Sequence, residues 1–96
     1  MGACAGLFLA SQTGCGGLIY SIKASSASSS LETAEALGAE RYAPYEYWYA
    51  YEHLWKAMEE AATADYGDAI DYADTADDYA EKAIKLSKEA HSAGGR

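Results

Sequence analysis

"APYEYWYAYEHLW", Ala43 to Trp55, is the stretch whose reading decides the fold. Tyr45, Tyr47, Tyr49 and Tyr51 fall on every second residue, the period of a strand. Two neighbours argue instead for a helix. Pro44 opens the run, and proline suits the first helical position, where its missing N–H costs nothing. "KAMEEAATA" (56–64) then continues with strong helix formers. At about 100° per residue, Tyr47, Tyr51, Leu54, Trp55, Met58, Ala61 and Ala62 share one face, the predicted core. Tyr45 and Tyr49 fall on the other side with His53, Lys56 and Glu60. The alternation is therefore only apparent: two tyrosines face in and two face out. The inward pair can bury its rings and still reach water with the hydroxyls.

The chain of 96 residues allows one small domain. Alanine supplies 21 residues, and valine is absent. Alanine favours helix most, and strand-forming residues are scarce, so the predicted class is all-α. The formal charge is −8, with every charged residue at Lys23 or later. An acidic chain without a Lys/Arg cluster has no footprint for nucleic acid.

Three long helices are predicted, over about 18–37, 44–64 and 66–90, with a flexible tail at 91–96. In the first, Ala27, Leu31, Ala34 and Leu37 follow one helical face. "SSASSS" (25–30) is poor helix material, and Ser29 with Glu32 spells a capping box. A start near Ser29, with 25–28 as tether, is the alternative to a start near Leu18. Gly38 is a natural stop. In the third helix Ala69, Ala73, Ala76, Ala80, Ala83 and Ile84 share a face, with Ile70 also assigned to the core. Asp68, Asp71, Asp78 and Lys82 lie opposite. Acids early and Lys82, Lys85 and Lys88 late complement the helix dipole. "ADYGDAIDYADTA" resembles the second-helix half of a tetratricopeptide repeat; with one such unit, the expected form is a repeat-like helical hairpin.

Residues 1–22 carry no charge. "AGLFLA" is a short apolar core, followed by small residues before Cys15, the layout of a secretory signal. Thr13-Gly14-Cys15 resembles a bacterial lipobox, although Gln12 stands where a leucine-like residue is expected and no Lys or Arg precedes the apolar run. The resemblance implies a signal at 1–14, cleavage after Gly14, and lipid on Cys15, with 15–17 as anchor. Several acyl chains together give stable anchoring. Gly16, where retained lipoproteins usually carry Asp, implies the periplasmic face of an outer membrane. Two alternatives stand beside this. Residues 1–22 approach the length of a membrane span, and Cys4 with Cys15 is a possible disulfide.

No catalytic constellation emerges. The acids of 65–81 recur every third residue around a helix, which suits a solvated face better than a calcium loop. His53 and His91 have no ligand cluster around them, so no metal or cofactor is expected. The serines at 25–30 lack a paired base, and the adjacent Glu59 and Glu60 point apart.

Gly38 to Tyr47, Leu54 to Ala61 and Asp65 to Ile70 carry a wider likeness. Together with Cys15 they resemble a family of short bacterial helical lipoprotein domains of unknown function. Members often stand beside, or are fused to, OmpA-like domains that bind peptidoglycan. The resemblance implies an envelope neighbourhood and no activity. The expected role is a non-catalytic adaptor that docks to an envelope protein, possibly OmpA-like, with lipid holding it to the membrane. The alternative is a peptidoglycan-binding module. In either case the docking residues expected are Tyr42, Tyr45, Tyr49 and His53. Self-association through the alanine face or the exposed rings is a further expectation.

Overall fold

A computed structural model describes the backbone of residues 2–94 and the side chains of residues 16–94. The expectations that rest on Cys4, on Cys15 and on the signal segment lie outside the described side chains. Four helices follow in order: α1 (Gly2–Ala36), the single-turn α2 (Ala39–Tyr42), α3 (Pro44–Ala62) and α4 (Tyr66–Gly94). The all-α class holds. No helix among the described residues is long and apolar enough to cross a membrane.

The turns are fixed by backbone chemistry. Gly38 ends α1 in the left-handed region at φ 82°. α2 then closes on its carbonyl, with the Arg41 and Tyr42 amides donating to Gly38 O at 2.9 and 3.0 Å. Pro44 sits in the first turn of α3, as expected. At the other end of α3 the Asp65 amide donates to Glu60 O and the Ala64 amide to Ala61 O, both at 2.9 Å. That pair of bonds is a Schellman motif, with Ala64 in the left-handed position at φ 61°.

α4 runs beside both other long helices. It is parallel to α1: Gly16 lies on Tyr66, Lys23 pairs with Asp74, and Leu37 meets His91. It is antiparallel to α3: Tyr45 and Tyr49 meet Tyr79, while His53 meets Tyr72. α1 and α3 touch each other over a shorter stretch, around Leu31, Ala34, Tyr47 and Ala50.

The core is a seam of alanine. Ala69, Ala73, Ala76, Ala80 and Ala83 are fully buried, and Ser87 extends the row. Their spacing alternates four and three, the heptad pattern of supercoiled helices. α3 answers with Ala43, Tyr47, Ala50 and Ala57 on the same spacing, and α1 with Ala27, Leu31 and Ala34. Small side chains let the axes approach to about 8 Å, the short end of helix packing.

This seam corrects part of the expected core. Leu31, Tyr47, Ala73, Ala76 and Ala80 are buried, and Leu37, Leu54, Ile70 and Ile84 are half-buried. Tyr51, Trp55 and Met58 are exposed, at 39, 53 and 46 %. The inward residues of α3, Ala43, Tyr47, Ala50, Leu54 and Ala57, centre on a direction roughly 60° from the predicted face, which leaves these three side chains on its flank. The first helix needs no separate start at Ser29, because "SSASSS" is helical throughout. Ser26 and Ser30 donate to the two carboxylate oxygens of Asp77, each at 2.8 Å, so the serines clamp α1 to α4. Of the tail expected at 91–96, residues 91–94 are helical. α4 continues to Gly94, and the His91 Nε2 donates to Leu37 O at 2.7 Å, capping α1. Gly95 and Arg96 lie outside the described residues.

Candidate functional site

α3 carries two aromatic clusters on its two flanks. The first faces α4. Tyr45, Tyr49 and His53 follow one another at four-residue spacing, so they stack along the helix. Ring centroids are 5.6 Å apart for Tyr45–Tyr49 and 4.1 Å for Tyr49–His53. Tyr79 of α4 packs 4.2 Å from Tyr49 and edge-on to Tyr45. Lys82 lies over the outer face of Tyr79 at 4.2 Å. The His53 Nδ1–H donates to Tyr49 O at 2.9 Å, which fixes the ring against the helix.

The expected docking quartet therefore divides. Tyr49 and His53 are half-buried parts of the α3–α4 contact. Tyr45 and Tyr42 keep 63 and 41 % of their surface. Tyr42 sits beside the turn at Gly38, its ring edge-on to His91 at 5.0 Å. The structure brings Tyr45, Tyr49 and His53 into one stack and leaves Tyr42 outside it.

The second cluster faces α1, and sequence reasoning assigned it to the core. Tyr47, Tyr51, Leu54, Trp55 and Met58 form one wall of a groove of about 310 Å³. Ser28, Leu31, Glu32 and Glu35 of α1 form the other. The rings interlock edge to face: Tyr47–Trp48 at 4.9 Å and Trp48–Tyr51 at 5.3 Å, with Trp55 beyond Tyr51 at 6.4 Å. Trp48 is itself 43 % exposed. Burial first, then the Glu35 and Glu40 carboxylates, push the Tyr47 hydroxyl above its ordinary 10.0. The signal that would have found this groove is the four-three alanine spacing. It puts Tyr51, Trp55 and Met58 on the flank of the seam.

A third grouping stands at the α3–α4 turn, where Glu60, Asp65 and Asp68 bring carboxylate oxygens within 4.8 Å of one another. The Asp65 carboxylate accepts the Asp68 amide at 3.4 Å, so these acids serve the start of α4. Asp68, Asp71, Asp78 and Lys82 are solvent-facing, as their position opposite the alanines predicts.

No curated protein and no solved structure matches the chain significantly. A family profile matches residues 23–94, which takes in α1 from Lys23 onward and all of α2, α3 and α4. The chain belongs to the family described as "Domain of unknown function (DUF4398)".

Proposed function

We propose that this chain is a non-catalytic adaptor lipoprotein of the bacterial envelope, docking to an envelope protein through α3. The exposure of Trp48, Tyr51, Trp55 and Met58 along one flank carries the reading. A helical domain of this size needs its large apolar residues for burial, yet here alanine fills most of the core and these four side chains stand outside it. Exposed aromatics in a row are the usual anchors of protein interfaces.

The lipid anchor on Cys15 rests on the lipobox-like sequence and has support from its neighbours. Leu18, Ile19 and Ile22 are exposed directly after it. They would lie against the bilayer surface beside the acyl chains. The non-catalytic part of the reading rests on the sequence, which sets no nucleophile beside a base.

Mass spectrometry of the protein purified from membranes tests the anchor. An acylated N-terminus at Cys15 is expected, and an intact Met1 sinks it. A photo-reactive residue at position 55 tests docking in cells. A discrete envelope-protein adduct is expected there and not from position 85 on the outer face of α4. A second reading, a peptidoglycan module, rests on the exposed Tyr42 and Tyr45 rings. Co-sedimentation with purified peptidoglycan that is lost in a Tyr42→Ala/Tyr45→Ala chain would favour it over the adaptor.

A further inference from the structure

Resting on that docking role, we propose that the α1–α3 groove binds a cationic amphipathic helix of a partner protein. Its lining is largely apolar, with Leu31 on one wall and Tyr47, Leu54 and Met58 on the other. It extends over the α3 residues from Tyr47 to Met58, a length of about 16 Å at 1.5 Å per residue, or three helical turns. A slot between two antiparallel helices is where a fourth helix sits in a bundle. α1 and α3 flank α4 on one side and leave that slot open on the other.

Charge selects the occupant. Glu32 and Glu35 line the α1 wall, and no basic residue lines the groove. On the outer edge of α3, Glu52 and Glu59 are the helical neighbours of Trp55 at three and four residues. Lys56 is the nearest base; it approaches Glu59 at 3.9 Å and stays outside the lining. A ligand helix with leucine-like residues on one face and Lys or Arg on its flanks meets apolar surface in the middle and acid on both rims. The faces of Trp55 and Tyr51 add favourable positions for its cations. A second copy of this chain, at −8, would bring acid against acid. An anionic lipid surface would do the same.

Titration of the whole chain with synthetic helices decides the matter. The probe is a peptide of roughly 14 residues, about four turns. It carries Leu at i, i+3, i+4 and i+7 and Lys and Arg on both flanks. The control keeps the Leu face and carries Glu on the flanks. Tryptophan fluorescence and calorimetry should show saturable one-to-one binding of the cationic peptide. Its affinity should weaken as NaCl rises, and the acidic peptide should bind at least about tenfold less tightly. Trp55→Ala should weaken binding about tenfold. Glu32→Gln with Glu35→Gln should weaken it similarly and flatten the salt dependence. Tyr45→Ala should change nothing. Trp55 and Glu32 are exposed, so circular dichroism should show all variants folded.

Equal binding of both peptides, or loss of binding with Tyr45→Ala, overturns the assignment. So does a chain that sediments as a dimer until Trp55 is replaced, which gives the groove to a second copy. If neither peptide binds while position 55 still cross-links to an envelope protein, the cationic helix is wrong and the adaptor role stands.

Discussion

Gly38 and Ala64 hold the same left-handed backbone at opposite ends of the bundle, and their side chains make the cost unequal. Alanine in that region costs about 1–2 kcal/mol, which glycine avoids. Ala64→Gly should therefore raise the unfolding free energy by about 1 kcal/mol in urea melts. Gly38→Ala should lower it by about 1–2 kcal/mol, because the added Cβ would also stand 3.2 Å from the Tyr42 ring. Ser87 offers a different correction. Its hydroxyl is buried at the end of the alanine seam without a partner among the described residues. Ser87→Ala continues the seam and should stabilise by up to about 1 kcal/mol. Tyr47 makes stability depend on pH. Its hydroxyl is held above 10.0 in the folded chain, by burial first and by Glu35 next. The unfolded tyrosine ionises first as pH rises, so this contribution is whole below 10.0 and is lost above it. Thermal melts of a Tyr47→Phe chain should fall less steeply above about pH 10 than those of the parent. Tyr20, raised by burial and then by Tyr66, keeps part of the fall in both.

Between elements, the α1–α4 pairing depends on a polar clamp as well as on alanine. Asp77 accepts from Ser26 and Ser30, and Lys23 meets Asp74 at 3.0 Å one turn earlier. Asp77→Ala should cost about 1–2 kcal/mol, most of it from two orphaned charge-assisted bonds. Asp77→Asn should recover part of that loss. The ion pair is exposed and should matter less, under about 1 kcal/mol. Much of this level could be read from the sequence. Pro44 and Gly38 bound their helices as turn chemistry requires, and the alanine face of α4 lies where its spacing puts it. The α3 core did not follow, for a physical reason. The helical wheel centres the apolar face of α3 near Met58, whereas the residues that meet the alanines of α4 and α1 centre roughly 60° away, so Tyr47 is buried while Trp55 and Met58 fall on the flank. The predicted first helix does run unbroken through "SSASSS". The low intrinsic helix propensity of that stretch is outweighed by an acid 51 and 47 residues away, a pairing that no local pattern encodes.

At the scale of the molecule, charge is unbalanced and the fold must bear it. A net charge of −8 on one small domain favours expansion through self-repulsion. Added salt should raise the melting temperature by a few degrees between about 0.01 and 0.15 M NaCl, where the screening length falls from about 30 to 8 Å. A flat or falling dependence would mean that Lys23–Asp74 outweighs the general repulsion. The parallel course of α1 and α4 has a last consequence. Three long passes are an odd number, so the polypeptide enters the bundle beside Tyr66 and departs from it beside Leu37. Along α4, Tyr66 and His91 separate those points by about 38 Å at 1.5 Å per residue. Anything joined before the bundle and anything joined after it are held apart by a stiff strut of fixed length. Adding one heptad to each long helix would lengthen that span by about 10 Å and leave every seam contact in register.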